Sequence, residues 1–124
     1  MLKQVLIVED SDACAETLQI ALESIPELET RVIHSPAAAI AALRESHGEI
    51  AAIVTDLHLP QSDGFDLIRQ LRAEPRFARL PILLISGDSD PLVAEKALAQ
   101  GADAFFPKPY SPLAVRKKLE QLIC

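Results

Sequence analysis

A chain of 124 residues, 49% of them apolar, can fill one two- or three-layer core and leaves no room for a second, so residues 1–124 are expected to form a single domain with no effector domain beside it. Eighteen Asp and Glu against twelve Lys and Arg give a formal charge of −6 with no basic stretch, which argues against direct contact with nucleic acid. The apolar run that begins the chain ends at Glu9, too short for a secretory signal or a membrane span, and Cys14 and Cys124 have neither disulfide nor metal spacing, so a soluble cytoplasmic protein is expected.

The first predicted strand is Gln4-Val5-Leu6-Ile7-Val8. A helix follows, with Cys14, Leu18, Ala21, Leu22 and Ile25 along one face at helical spacing. Thr30-Arg31-Val32-Ile33 is a weaker run that suits an edge strand. Ser35-Pro36 then opens a second helix, the serine supplying an N-cap oxygen and the proline a preset φ. Ile50-Ala51-Ala52-Ile53-Val54 is the third strand, and a third helix runs from about Gly64 to Ala73 with Leu67, Ile68 and Leu71 inward, ending at Glu74-Pro75.

Leu80-Pro81-Ile82-Leu83-Leu84-Ile85 forms the fourth strand, Asp90-Pro91 starts the fourth helix, Ala104-Phe105-Phe106 is a second edge-type strand, and Ser111-Pro112 starts the last helix. The strong strands are continuously apolar and not alternating, as strands covered by helices on both faces must be. The order is βα repeated five times, an α/β doubly wound parallel sheet with right-handed crossovers. In such a sheet the chemistry sits beyond the carboxyl ends of the strands.

Four clusters fall there: Glu9-Asp10-Ser11-Asp12, Thr55-Asp56-Leu57-His58, Ser86-Gly87-Asp88 and Pro107-Lys108-Pro109. Taken singly, each has an ordinary explanation as a cap, a turn or a surface residue. Together they bring three carboxylates, Glu9, Asp10 and Asp56, into one cleft, where like charges about 4 Å apart repel by roughly 4 kcal/mol at intermediate dielectric. Hard oxygen ligands in small number fit Mg²⁺, with Mn²⁺ as a substitute, and Lys108 adds one more positive charge. An Asp carboxylate can attack phosphorus, so Asp56 is the candidate nucleophile, with Lys108, the Ser86 hydroxyl and backbone N–H groups beside Gly87 holding the phosphoryl oxygens.

From Gln4 to Ile123 the chain resembles the receiver domain of two-component response regulators. The resemblance is carried by Val5-Leu6-Ile7-Val8-Glu9-Asp10, Thr55-Asp56-Leu57-His58-Leu59-Pro60 with Asp63-Gly64, Ile85-Ser86-Gly87, Gly101-Ala102-Asp103-Ala104-Phe105-Phe106 and Lys108-Pro109. It implies a flavodoxin-like fold with strand order 2-1-3-4-5, the order of the chemotaxis members of this family. It implies that Asp10 and Asp56 bind the metal directly, Glu9 through water, and His58 through its backbone carbonyl. Ser86 and Phe105 would be the switch pair, His58 and Asp88 would tune the lifetime of the phosphoryl group, and the Lys108–Pro109 peptide would be cis.

The implied partners are a sensor histidine kinase or a histidine phosphotransfer protein, and a downstream protein, effector domain or second copy meeting the face of helix four, strand five and helix five. The domain would catalyse only its own phosphorylation and dephosphorylation. Two other functions remain: a receiver fold that docks or dimerises without being phosphorylated, and a haloacid-dehalogenase-like phosphatase, for which His58 stands where a second acid is needed. A flavin site is disfavoured because Glu9, Asp10 and Asp12 would repel a phosphate in the first loop.

Overall fold

The computed structural model describes residues 2–59, 62–88 and 90–123, so Cys124, and Pro60 of the matching segments, lie outside the described residues. Five parallel strands, β1 (Lys3–Val8), β2 (Leu28–Ile33), β3 (Ile50–Asp56), β4 (Ile82–Ser86) and β5 (Ala104–Pro107), lie in the order β2-β1-β3-β4-β5, the flavodoxin-like order expected from the sequence. The helices are α1 (Asp12–Glu23), α2 (Pro36–Glu45), α3 (Gly64–Ala73), α4 (Pro91–Gln100) and α5 (Pro112–Ile123). None of them is long and apolar enough to cross a membrane.

Alternation along the strands sends successive side chains to opposite faces. Val5 and Ile7 of β1 join Ala52, Val54, Leu83 and Ile85 in a layer under α1 and α5, which contribute Leu18, Leu22, Val115 and Leu119. Leu6 and Val8 join Ile53, Ile82 and Leu84 in the other layer, under α2, α3 and α4, with Leu43, Leu67, Ile68, Leu71 and Ala97. Burial on both faces is why these strands read as unbroken apolar runs. The two edge-type runs, β2 and β5, are the edges of the sheet.

Local chemistry starts the helices where the Ser-Pro and Asp-Pro pairs predict. Ser35 accepts from the Ala38 N–H, Asp90 from Leu92 and Ser111 from Ala114. Asp63 caps α3 in the same way, accepting from the Asp66 N–H at 2.9 Å.

Three details differ from the sequence expectation. Cys14 is only half-buried, and Ala15 takes its place on the inner face of α1, while Ile25 is buried beyond the helix end. β3 runs through Asp56 and β4 through Ser86, so these residues are the last of their strands and not the first of the loops. A two-residue antiparallel hairpin, His58–Leu59 with Ser62–Asp63, and a 3₁₀ turn at Pro75–Phe77 were not legible as elements. The hairpin is pinned by Leu57 and Leu59, both buried in the α2–α3 layer, and it fixes the path from Asp56 into α3.

Candidate functional site

The site is built from strand ends. The β3–β4 pairing places Asp56 opposite Ile85, and the β4–β5 pairing places Ser86 opposite Pro107, which brings the ends of the three strands level. β1 ends at Val8, opposite Thr55, so Glu9 and Asp10 emerge beside Asp56. The fold thus gathers residues almost a hundred positions apart in sequence, Glu9 and Lys108.

Glu9, Asp10 and Asp56 each offer a carboxylate oxygen, and the three lie within 4.8 Å of one another. Glu9 and Asp56 are buried, at 3% and 6% exposure, and Asp10 is open to solvent. The Lys108 ammonium is 2.6 Å from Asp56 Oδ2 and 3.8 Å from Glu9 Oε2. Its own pKa is raised, because the bond to Asp56 and the charges of Asp56 and Glu9 together outweigh burial, which alone would lower it. The other oxygen of Asp56 accepts from the His58 backbone N–H at 3.1 Å, and Glu9 Oε1 accepts from the Ser11 N–H at 3.1 Å.

Three carboxylates against one ammonium leave two negative charges uncompensated, the charge of one divalent cation. The donors suit a hard ion: all are oxygens, two are fixed by backbone N–H groups, and one faces water. The mutual repulsion and burial of the cluster appear on Glu9. Burial above all, then the adjacent Asp56, push its carboxyl from 4.5 up to about 7, against the opposing pull of the Ser11 N–H and Lys108.

That shift has a measurable consequence. A group whose pKa is higher folded than unfolded stabilises the native state fully below its unfolded value, here 4.5, and loses that contribution as pH rises through about 7. The protein will therefore lose stability between these values, and a divalent cation held by these carboxylates would compete with the Glu9 proton, so that its affinity would rise with pH through 7. Calorimetry in buffers of different ionisation enthalpy will show that proton release in the parent and not in Glu9→Gln. Equal affinity at pH 6 and pH 8 would contradict the assignment.

The remaining sequence-predicted residues lie around this cluster. Ser86 is fully buried, and its hydroxyl oxygen accepts from the Asp88 N–H at 3.0 Å. Gly87 leaves the approach open, a Cβ there meeting only the Lys108 side chain at 3.9 Å. His58 is exposed and its Nε2 is 3.9 Å from Asp88 Oδ2 across the mouth of the site. Phe105 is half-buried against the α4 layer, and the Lys108–Pro109 peptide is cis. Thr55 is fully buried and donates its hydroxyl to the Asp56 carbonyl at 3.0 Å, a contact for which its place beside Asp56 in the sequence gives no signal.

Residues 5–120 match the family of the response regulator receiver domain. The chain is 28% identical over 79 residues to chemotaxis protein CheY1 of Helicobacter pylori, covering 64% of each chain. It is 31% identical over 121 residues to the transcriptional regulatory protein GltR of Pseudomonas aeruginosa, covering 98% of this chain and 49% of that one, so it spans about half the length of that relative. Among solved structures, the signal receiver domain of a signal transduction histidine kinase from Syntrophus aciditrophicus superposes with a TM-score of 0.86 at 30% identity, covering 98% of this chain and 89% of that one.

Proposed function

The chain belongs to the response regulator receiver domain family, a signalling module and not a classical enzyme, and we propose that Asp56 is its phosphoacceptor. The observation that carries this reading is the Lys108 ammonium at 2.6 Å from Asp56 Oδ2, inside a trio of carboxylates poised for a divalent cation. The Asp56 carboxylate oxygen forms a bond to phosphorus while the bond from phosphorus to the donor breaks. The electron pair goes to the imidazole nitrogen of a phosphohistidine, or to the carboxylate of a small acyl phosphate.

The transferring group is metaphosphate-like, so the chain's work is positioning and charge compensation. Lys108 meets one phosphoryl oxygen, and the Ser86 hydroxyl and the backbone N–H groups at Gly87 and Asp88 meet another. Glu9, Asp10, Asp56 and the His58 carbonyl would hold Mg²⁺ or Mn²⁺, which when bound offsets the charge that Lys108 alone leaves. His58 and Asp88 stand where an attacking water would pass and set how long the adduct lasts. Ser86, on gaining a phosphoryl contact, gives up the Asp88 N–H, and Phe105 relays the change to the face of α4, β5 and α5.

Donor and reader follow from that arrangement: a histidine kinase or histidine phosphotransfer protein on one side, a protein partner, effector domain or second copy on the other. Exposed Leu92 and Leu98 on α4 and Leu113 on α5 give the second face apolar anchors. With Mg²⁺ and labelled acetyl phosphate the parent will take up one phosphoryl group, stable in acid and lost in base. Chelating the metal and Asp56→Asn will each abolish uptake. Label retained by Asp56→Asn would overturn the assignment.

A further inference from the structure

Gly64 opens α3 with a φ outside the left-handed region, so no backbone requirement calls for glycine there. Space does. A Cβ on Gly64 would stand 2.8 Å from the Asp56 main-chain oxygen, 2.9 Å from Leu84 Cδ1 and 3.1 Å from Leu57 Cα. Two of those three atoms are backbone, and backbone cannot rotate out of the way as a side-chain tip can.

The peptide between Asp56 and Leu57 is held on its other sides as well. The Leu57 N–H donates to the Ile85 carbonyl at 2.8 Å, the buried Thr55 hydroxyl donates to the Asp56 carbonyl at 3.0 Å, and the Gly64 N–H donates to the Leu57 carbonyl at 2.7 Å. The Asp56–Leu57 peptide plane is therefore fixed by strand β4 and by its own strand, and the first residue of α3 ties down the next peptide along. That plane is one of the two that flank the Asp56 Cα, so it helps to set the direction of the Cα–Cβ bond, and with it where the carboxylate lies relative to Lys108, Glu9 and Asp10.

We infer that Gly64 is a positioning residue for phosphoryl transfer: its missing side chain lets α3 close on the Asp56–Leu57 peptide and aim the Asp56 carboxylate, with Thr55 as the opposing support. The inference rests on the reading of Asp56 as phosphoacceptor. In-line attack needs its reacting atoms aligned at near contact, and a displacement of about 1 Å costs on the order of a hundredfold in rate.

The test follows adduct formation from acetyl phosphate and Mg²⁺ in the full chain, as a function of donor concentration, alongside thermal stability. Gly64→Ala is expected to lower the maximal rate by about ten- to a hundredfold with the donor concentration at half-maximal rate unchanged. Gly101→Ala is the control for mere destabilisation. Gly101 has φ +115° and a Cβ there would meet Arg72 Cγ at 2.8 Å, so that variant loses stability but keeps the parent rate.

A double variant, Gly64→Ala with Leu84→Val, removes the apolar clash and leaves the clash with the Asp56 carbonyl. It is expected to stay slow. Thr55→Val replaces the hydroxyl with a methyl in a nearly isosteric side chain, and it is expected to slow the reaction by a smaller factor in a fully folded protein. A parent-like rate in Gly64→Ala, a rate restored in the double variant, or, should the alanine variants not fold, a parent-like rate in Thr55→Val overturns the inference. Failure of the parent itself to take up label is a different result, and it removes the phosphoacceptor reading instead.

Discussion

Lys108→Ala will slow phosphorylation of Asp56 by about two to three orders of magnitude at saturating Mg²⁺, the loss typical when one preorganised group facing developing charge is removed. The ammonium lies 2.6 Å from one Asp56 oxygen and 3.8 Å from Glu9, with both carboxylates buried. An incoming phosphoryl group brings further negative charge into this cluster. Each close like-charge contact costs roughly 4 kcal/mol at intermediate dielectric, and the lysine is the only side-chain cation among the described residues in contact with the trio.

Lys108→Arg is not expected to restore the rate, because a planar fork cannot replace a compact point charge at the end of a flexible stem. Rates of adduct formation from acetyl phosphate in the three proteins decide the matter. Parent-like kinetics in Lys108→Ala would reduce the lysine to a structural counter-ion of Asp56.

The second large effect falls at the opposite end of the sheet. Arg72, near the end of α3, is 18% exposed and spends its guanidinium on the Gly101 carbonyl at 2.8 and 3.0 Å, the Phe77 carbonyl at 2.9 Å, the Ala78 carbonyl at 3.2 Å and Asp103 Oδ2 at 3.1 Å. The same Asp103 oxygen accepts from the Ile82 N–H at 2.8 Å. One side chain thus ties the end of α3, the 3₁₀ turn, the cap of α4 and the entries to β4 and β5.

Arg72→Met keeps the length of the stem and removes every donor. It takes the side-chain donor from the Gly101 and Ala78 carbonyls and leaves the Phe77 carbonyl and Asp103 with one backbone donor each, at roughly 1–3 kcal/mol for each group that water cannot reach, so a loss of about 3 kcal/mol is expected. Urea or thermal unfolding will show it as a fall in midpoint of roughly 10 °C. The rate of Asp56 phosphorylation in the folded variant will be unchanged, since the clamp lies at the amino ends of the strands and the site at their carboxyl ends. A stability within about 0.5 kcal/mol of the parent, the range of an ordinary surface change, would contradict this account of Arg72.

Arg72 also marks where reading the sequence stops. What is local in sequence is legible: Ser35-Pro36, Asp90-Pro91 and Ser111-Pro112 each carry their own cap, and Glu74-Pro75 carries its own stop. The candidate site is legible too, because strand-end placement in a doubly wound sheet turns four scattered clusters into one cleft. A guanidinium that serves a carbonyl 29 residues away leaves no such trace, since every residue has a carbonyl.

Boundaries fail for a related reason. Asp56 and Ser86 are polar and would ordinarily end an apolar strand, yet the ladder extends through them: Asp56 pairs with Ile85, and Ser86 pairs with Pro107. Cys14 and Ala15 are both small and both fit the helical period, and only packing against β1 and β2 chooses the alanine. The role of Gly64 is hidden for the opposite reason, that what matters is the atom it lacks.

Borohydride trapping distinguishes Asp56 from every other carboxylate as the carrier of the phosphoryl group. Reduction of an aspartyl phosphate yields homoserine, so parent protein treated with Mg²⁺ and acetyl phosphate, reduced, digested and sequenced by mass spectrometry, will carry homoserine in place of Asp56 and nowhere else. Homoserine in place of Asp10 or Asp88, or a phosphate ester on Ser86, would contradict the account.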